Sequence, residues 1–297
     1  MNKLKLLSGP MRLPFLVLSP ACVLLGVGCA VWTSGRVNPL YVALVLVGAI
    51  CAHISVNAFN EYFDFKSGLD FKTTRTPFSG GSGTLPARSD LARTALAIAW
   101  TAFSITALAG LFFVHLRGLA LLPFGLLGLF LLYSYTPWLT RSPLLCLIAP
   151  GLGFGPLMVI STYIALTGQL SWSVIIVSTV PFFLVSDLLL LNQFPDVEAD
   201  ESVGRRHFPI LLGRKRSSLI YGLFLLLAYL VIALSVSFKV LPPACLIGLL
   251  GLCLAIPAGV NAYRHAEDIS SLLPSLGLNV LVNIVTPILL GIGLLIK

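Results

Sequence analysis

Two groups of carboxylate and amide side chains follow two long apolar segments of this sequence. The groups are Asn57, Asn60, Asp64 and Asp70 in the first half of the chain, and Asn192, Asp196 and Asp200 in the second half. In each group an asparagine precedes an aspartate by four residues, and the two pairs are in register. Carboxylate and amide oxygens are hard ligands that suit Mg²⁺, which often joins such groups to substrate phosphates. The two groups therefore predict one magnesium site that binds a diphosphate.

Helical spacing would place each group on one face. Side chains at positions i, i+3, i+4 and i+7 share one side of an α-helix. Asn57, Asn60 and Asp64 meet that spacing. The second group meets it only if its helix continues past Pro195, where the missing backbone N–H is expected to kink the helix.

The composition places both groups in a membrane protein. Of 297 residues, 57% are hydrophobic and 10% are charged, whereas about a quarter of the residues in a soluble domain are charged. This balance excludes a large soluble domain, and it predicts an all-α integral membrane protein in which nine apolar windows cross the bilayer as helices. The windows are 14–32, 40–61, 92–114, 118–135, 144–166, 172–192, 217–237, 241–262 and 275–296. The first lacks a small-residue cleavage site, so we expect a retained helix and not a removed signal peptide.

The charge distribution predicts a cytoplasmic N-terminus in a multi-pass protein of the cell membrane. Most of the 19 basic residues, Lys3 and Lys5 among them, then lie inside, as the positive-inside rule requires. The basic residues that fall outside are Arg36, Arg117, Lys239 and Lys297. All 11 acidic residues also fall inside. The net charge of +8 follows from this topology, so no nucleic-acid partner is needed to explain it. The six cysteines lie in apolar windows without a CxxC pair, which predicts buried thiols.

Two loops, 62–91 and 193–216, are expected to cap the site, and they carry all but Arg141 of the basic residues expected to contact a diphosphate. Direct phosphate contacts are expected from Lys66, Arg75, Arg141, Arg205 and Arg206. The stretch 73–86, TTRTPFSGGSGTLP, lacks the residue order of a nucleotide-binding P-loop. It is either a flexible connector or a functional lid.

Three further side chains are candidates for the site or its surroundings. Asp187 lies about one turn inside the sixth window, where an acid is costly and is functional by default; a structural arginine partner is the alternative. His53 precedes Asn60 by two turns on the same stripe and is either a substrate-facing acid or base or a satisfied buried histidine. His207 is expected in the solvated loop.

These motifs resemble the UbiA superfamily of intramembrane aromatic prenyltransferases. The family motif, roughly Asn-Asp-x-x-Asp-x-x-x-Asp, stands here as Asn60-Glu61-Tyr62-Phe63-Asp64 with its last acid at Asp70, and the second motif, Asp-x-x-x-Asp, as Asp196 and Asp200. Glu61 departs from the usual aspartate, and Asp70 lies two positions later than usual. The segment DFKSGLD at 64–70, Gly155-Pro156, Ser161-Thr162-Tyr163 and Thr167-Gly168 look more like the naphthoate-prenylating (MenA-like) branch.

The resemblance implies a single domain over 1–297 with nine helices around a central cavity. It implies Mg²⁺-dependent transfer of a polyprenyl group from its diphosphate to an aromatic acceptor, with dihydroxynaphthoate or a related quinone precursor as the first expectation. Asn60, Asp64, Asp70, Asn192, Asp196 and Asp200 would hold the metal. Asp64, Asp70 or Asp187 would act in catalysis, and Asn57, His53, Tyr133 and Tyr135 would line the substrate pocket. Tyr133 and Tyr135 could equally be interfacial anchors. The matching motifs also indicate a parallel internal repeat of about 40–166 and 172–296.

Three alternatives remain open on the sequence. A transporter of divalent cations or small anions would place polar residues near the bilayer midplane, where this chain has few. A membrane scaffold would use the acid pairs only structurally. A transferase of the same family could act on a non-quinone acceptor, namely a chlorin, a haem or a lipid.

Overall fold

The computed structural model describes residues 8–296, and this part of the chain is almost entirely helical without a strand. The main helices are α1 (Leu18–Ser34), α2 (Pro39–Ser67), α3 (Ala92–Arg117), α4 (Leu119–Ser134), α5 (Pro143–Thr167), α6 (Trp172–Asn192), α7 (Arg214–Ser237), α8 (Pro243–Arg264) and α9 (Ile269–Leu295). In the described part, eight of them are long and apolar enough to cross a membrane, and α4 is shorter. The predicted all-α membrane class is confirmed. Lys3, Lys5 and Lys297, which enter the charge argument, lie outside the described residues.

Large apolar side chains cover the outside of the bundle. Examples are Leu108 on α3, Leu126 on α4 and Leu226 on α7, each exposed over more than half of its surface. A soluble monomer rarely exposes contiguous apolar surface of this kind. The outer face is therefore suited to lipid, while the backbone hydrogen bonds are satisfied within the helices.

The helices pack as a ring in chain order, which closes where α9 meets α1. Helices α1, α6 and α9 are the most buried and also contact one another across the ring. Helix α3 packs along α2 but is mostly exposed to the surroundings. This arrangement leaves a cavity bounded mainly by α2, α3, α4 and α5.

Small residues let α5 approach α6 closely. A Cβ atom built on Gly151 would lie 2.2 Å from the Phe182 carbonyl oxygen, and one on Gly155 would lie 2.5 Å from the Ser178 carbonyl oxygen. Glycines four residues apart permit such contact in membrane helices. From Gly153 to Ile160, α5 adopts π-helical geometry around Pro156, which cannot donate a backbone hydrogen bond. This packing fixes the helix that carries the second acidic group.

The two acidic groups leave their helices in different ways. Helix α2 continues through Asp64 and ends at Gly68, whose φ of 80° suits glycine, and Asp70 follows in a 3₁₀ turn. Helix α6 instead ends at Asn192, and Asp196 precedes a separate helix, Val197–Ser202. The condition for one helical stripe through the second group is therefore not met, since the helix does not continue past Pro195.

Candidate active site

A cavity of about 520 Å³ opens among the helices and carries its polar side chains at one end. Its walls are mostly apolar side chains of α2 to α5. The polar end consists of Arg12, Asn57, Asn60, Asp64, Asp70, Asn192, Gln193, Asp196, Asp200, Arg205 and His207. Every predicted metal ligand thus lines one cavity. The arrangement offers a charged headgroup site continuous with an apolar chamber.

Arg205 joins the two acidic groups. Its guanidinium donates to Asp64 Oδ1 through Nη2 and to Asp200 Oδ1 through Nη1, the latter at 2.9 Å. Asp64 and Arg205 are 141 residues apart in the chain. Burial alone would lower the pKa of Arg205, but the two carboxylates raise it above its ordinary value. Arg205 therefore stays ionised and holds the end of α2 and the segment after α6 at one site.

The first group is fixed by hydrogen bonds to its own neighbours. Asn60 Nδ2 donates to Asp64 Oδ2 at 2.9 Å and to Thr136 Oγ1 at 3.2 Å. Asn60 Oδ1 accepts from Arg12 at 3.2 Å. Asn57 Nδ2 donates to the Met11 carbonyl at 3.1 Å. These bonds orient the amides, and Asp64 keeps its second oxygen for Arg205.

His207 is a buried member of the site, and its expected position in a solvated loop is wrong. Its Nε2 lies 3.0 Å from Asp200 Oδ2, and 1% of its surface is exposed. The turn after residue 202 folds His207 back toward the cavity, because Arg206 N–H donates to the Thr140 carbonyl. Asp200 thus bridges Arg205 and His207. A sequence reading gave no local signal for this contact.

Three buried oxygens at the polar end have no hydrogen-bond partner. They are Asp70 Oδ2, Asn192 Oδ1 and Asp196 Oδ1. Buried polar atoms are nearly always paired, so unpaired oxygens on one cavity wall fit a cation. Within residues 8–296, however, no three His, Cys, Asp or Glu side chains form a ready metal cluster. The donor set instead combines carboxylates with an amide, while Arg205 occupies two of the carboxylates.

Two of these acids hold protons more tightly than usual. Burial, followed by the charges of Asp64 and Glu61, raises the pKa of Asp70 to about 7. Burial, followed by the charge of Asp200, raises the pKa of Asp196 to about 7. A nearby cation favours the ionised form of both. The crowding of carboxylates therefore favours the binding of positive charge.

The other predicted basic contacts do not line the cavity, and of these four Arg75 donates to the carbonyl of the lining residue Asp70 at 3.5 Å. Lys66, Arg75, Arg141 and Arg206 are exposed, in contrast to Arg205. The Lys66 ammonium lies 6.0 Å from the centre of the Tyr62 ring, because it projects from the outer face of α2. Arg12, which was not predicted as a phosphate contact from the sequence, lines the cavity instead. Arg12 has a left-handed backbone, with φ 51°, which is uncommon for a residue other than glycine.

The predicted pocket residues are divided between the cavity and the packing around it. His53 and Tyr135 line the cavity. His53 Nδ1 lies 3.0 Å from Ser19 Oγ. Its ring packs edge-on against Phe154, with 4.8 Å between the ring centres. Tyr133 instead lies outside the cavity lining. Its ring centre is 5.5 Å from that of Phe59 and 5.8 Å from that of Trp138. Tyr133 lies in the last turn of α4 and Tyr135 directly follows the helix, so the two rings point in different directions.

Asp187 lies behind the cavity wall. It is fully buried, and neither of its carboxylate oxygens has a hydrogen-bond partner. Asn279 on α9 donates to its backbone carbonyl at 3.3 Å. The arginine partner considered from the sequence is not found among the ion pairs of the described residues. Asp187 belongs to the contact of α6 with its neighbours and does not face the cavity.

The UbiA prenyltransferase family matches residues 19–281, which include both acidic groups and most of the cavity. The chain belongs to this family. The 1,4-dihydroxy-2-naphthoate octaprenyltransferase of Bacillus subtilis is 29% identical to it over 215 residues, 70% of this chain and 66% of that protein. The protoheme IX farnesyltransferase of Gloeobacter violaceus is 30% identical over 195 residues, 60% of this chain and 61% of that protein. The aligned stretches thus span less than two thirds of these relatives.

The fold also recurs in a solved UbiA homologue. The structure of the homologue from Archaeoglobus fulgidus bound to DMAPP and Mg²⁺ has a TM-score of 0.62 and 14% sequence identity to this chain. The alignment covers 96% of this chain and 99% of that chain. At this identity the likeness establishes the shared UbiA fold, and the family assignment confirms the resemblance drawn from the two motifs.

Proposed function

We propose that this UbiA family member transfers a polyprenyl group from its diphosphate to an aromatic acceptor. The observation that carries the proposal is the convergence of both acidic groups at the polar mouth of an apolar cavity of about 520 Å³. A prenyl diphosphate has the matching shape, with a charged head and a long apolar tail. Mg²⁺ is the proposed cofactor, as the Mg²⁺ bound to the Archaeoglobus homologue supports.

Asp64, Asp70, Asp196 and Asp200, with Asn60 and Asn192, would hold the metal. Mg²⁺ bound there would supply positive charge to the diphosphate as the carbon–oxygen bond breaks. Arg12 and Arg205 are placed to contact the same diphosphate, because both line the cavity. Lys66, Arg141 and Arg206 would reach it only through movement of their loops, whereas Arg75 already donates to the Asp70 carbonyl at 3.5 Å.

The chain's own groups would then control the reactive carbon. The apolar wall below the acids excludes water from the allylic cation, and the electron-rich ring of the acceptor forms the new bond. The ring regains aromaticity by losing a proton, or carbon dioxide from a carboxylated acceptor. Asp64 or Asp70 would take up such a proton. Asp187 cannot reach it from behind the cavity wall, which excludes Asp187 as the catalytic residue.

The acceptor we propose is dihydroxynaphthoate or a related quinone precursor. The name of the Bacillus relative supports this class, and His53 with Tyr135 would contact it in the cavity. The name of the Gloeobacter relative supports a haem as the alternative acceptor of the same reaction. We further propose that the site faces the cytoplasm in the cell membrane, because the basic residues favour that orientation. A parallel repeat of about 40–166 and 172–296 would account for the paired motifs.

The test is an acceptor panel with purified protein. Labelled farnesyl or geranylgeranyl diphosphate is incubated with Mg²⁺ and dihydroxynaphthoate, hydroxybenzoate, homogentisate or haem. We expect a prenylated dihydroxynaphthoate and released pyrophosphate, both abolished by EDTA. Prenylated haem would redirect the acceptor assignment. Absence of any prenylated product and of pyrophosphate would overturn the transferase proposal.

Two rival functions predict other results in the same material. A transporter would move a divalent cation or small anion across vesicles without turnover of the diphosphate. A scaffold would tolerate Asp64→Ala in its cellular role. The transferase requires instead that Asp64→Ala removes activity while membrane insertion stays normal.

A further inference from the structure

Glu61 follows Asn60 in the first acidic group but does not share its position at the cavity. Its side chain is fully buried, and it is not among the residues that line the cavity. Its carboxylate points instead to the loop after Asp70. Glu61 Oε2 accepts from the Ser82 backbone N–H at 3.1 Å, and Oε1 accepts from the Ser82 hydroxyl. This acid therefore binds protein and not a ligand.

The loop that Glu61 binds forms part of the cavity wall. Phe78, Ser79, Gly80 and Gly81 all line the cavity. A Cβ atom built on Gly81 would lie 2.9 Å from Asp70 Oδ1, so the loop backbone rests directly on that carboxylate. Gly81 also has a φ of 74°, which a residue with a side chain rarely adopts. Ser82 is thus the anchor next to the point where the loop covers the site.

A second contact ties Glu61 to the N-terminal segment. Arg12 Nη2 lies 3.7 Å from Glu61 Oε2 and also donates to Asn60 Oδ1 at 3.2 Å. Ser82 Oγ in turn lies 2.8 Å from Thr84 Oγ1, whose hydroxyl can donate to it. Glu61 therefore connects three segments that are distant in sequence, namely the start of the chain, α2 and the loop. Its charge is compensated by Arg12, which allows it to be buried.

We propose that Glu61 is a positioning residue that latches the 73–86 loop over the diphosphate site and thereby excludes water. The proposal rests on the proposed transferase function for its chemical consequence. Release of the latch would admit water to the allylic carbon. The water oxygen then forms the new carbon–oxygen bond, the diphosphate departs with the old bonding pair, and the water proton passes to solvent. The products are a prenyl alcohol and pyrophosphate in place of the prenylated acceptor.

The length of the glutamate side chain is essential to this role. An aspartate at position 61 would draw the carboxylate back by ~1.5 Å, one carbon–carbon bond. The contact of 3.1 Å to Ser82 N–H would then exceed hydrogen-bond distance. Glu61→Gln keeps the length and one acceptor oxygen, so it should preserve more of the latch than Glu61→Asp does. Charge alone would predict the reverse order.

The experiment compares loop opening with the fate of the donor in purified full-length protein. Hydrogen exchange of peptides covering 78–86 reports opening without any need for activity. Labelled farnesyl diphosphate with Mg²⁺ and the acceptor reports the ratio of farnesol to prenylated product. The variants are Glu61→Asp, Glu61→Gln and Ser82→Ala, which keeps the backbone N–H. Thr74→Ala is the matched control, since Thr74 is an exposed threonine in the same loop.

For Glu61→Asp we expect exchange and the farnesol ratio each to rise about tenfold, as loss of a charged hydrogen bond predicts. Ser82→Ala and Glu61→Gln should give smaller rises, and Thr74→Ala none. If Glu61→Asp shows the same hydrogen exchange and the same farnesol ratio as Thr74→Ala, the latch is overturned. If its exchange is faster but its farnesol ratio is unchanged, the role of the latch in excluding water is overturned. A merely destabilised fold would lower total yield without changing the ratio. If the wild-type protein prenylates nothing, the transferase proposal fails, but the exchange comparison still decides the latch.

Discussion

At the scale of single residues, Arg205 is the side chain on which the geometry of the site depends. It pairs with both Asp64 and Asp200. Sequence spacing predicted that the acids of the two groups would meet, because matched motifs at matched helix ends can be recognised locally. It did not predict that Arg205 joins them, or that His207 and Arg12 complete the polar end. The contact of Arg205 with Asp64 spans 141 residues and that of Arg12 with Asn60 spans 48, and such contacts leave no pattern in local spacing.

Replacement of Arg205 should reveal the repulsion that it compensates. In Arg205→Gln, two buried carboxylates lose their common partner, and breaking such a pair costs about 3–5 kcal/mol. We expect a lower melting temperature in EDTA and partial recovery in millimolar Mg²⁺, since the cation can replace the lost charge. Thermal unfolding in detergent measures both. Arg216→Gln, at an exposed position at the start of α7, is the control. Equal melting temperatures for the two variants would refute the role of Arg205.

Magnesium binding should weaken as the pH falls through neutrality. The pKa of Asp70 and that of Asp196 are each raised to about 7 by burial and neighbouring carboxylates. Metal binding requires the ionised form, so protons compete below pH 7 and no longer compete well above it. We expect Mg²⁺ affinity about tenfold to a hundredfold lower at pH 6 than at pH 8. Titration calorimetry without substrate measures it, and a constant affinity over this range would contradict the assignment.

Without metal, the raised pKa values of Asp70 and Asp196 make the fold more stable at low pH, whereas Mg²⁺ binding is stronger at high pH. An unfolded aspartate ionises near its ordinary pKa of 3.8, whereas these folded carboxyls stay protonated to about 7. The unfolded chain therefore binds fewer protons between those values, and stability falls as the pH rises across that window. Above pH 7 the loss is complete, and Mg²⁺ should then stabilise the protein most.

At the scale of elements, the apolar windows predicted the helices well, because length and hydropathy decide what can cross a bilayer. Window 172–192 coincides with α6. The helix ends were less predictable. Helix α2 extends to Ser67, beyond its window of 40–61. The hydropathy window marks only the lipid-spanning part, and the polar residues that follow it continue the same helix. The second group leaves its helix at Asn192, where the local effect of Pro195 outweighs the helical spacing of the acids.

The close packing of α5 on α6 should be sensitive to a single methyl group. In Gly155→Ala the added Cβ would lie 2.5 Å from the Ser178 carbonyl oxygen, so a backbone must shift. Overpacking of this kind costs about 1–3 kcal/mol. We expect a lower melting temperature together with reduced activity, because α6 carries the second group. Gly222→Ala, where a Cβ meets nothing within 4 Å, should be neutral. A neutral Gly155→Ala would show that the packing is looser than described.

At the scale of the whole molecule, the bundle combines a lipid-facing exterior with an apolar chamber that ends in charge. The family assignment and the fold follow from the sequence because the motifs and the helix count act together. The size of the chamber did not follow, since it depends on how far α3 and α4 stand from α2 and α5. Gly125 and Gly128 on α4 line this space, and a Cβ on either would meet nothing within 4 Å.

Filling this space should shorten the donor that the protein accepts. A leucine at position 125 would occupy room that we assign to the distal part of the prenyl tail. We expect Gly125→Leu to retain activity with a ten-carbon donor and to lose most of it with a twenty-carbon donor. Competition between labelled diphosphates of both lengths measures the preference. Gly222→Leu, on the lipid-facing side of α7, is the control. Unchanged preference in Gly125→Leu would place the tail elsewhere.

The central claim is that both acidic groups bind one metal–diphosphate headgroup. Binding of a non-hydrolysable farnesyl thiodiphosphate, measured with Mg²⁺ by calorimetry for wild type, Asp64→Asn, Asp196→Asn and the double variant, tests it most directly. The account predicts that each single change weakens binding strongly. The loss of binding free energy in the double variant should be much smaller than the sum of the losses in the two single variants, because the residues share one ligand. Full binding in Asp196→Asn, or additive losses in the double variant, would contradict it.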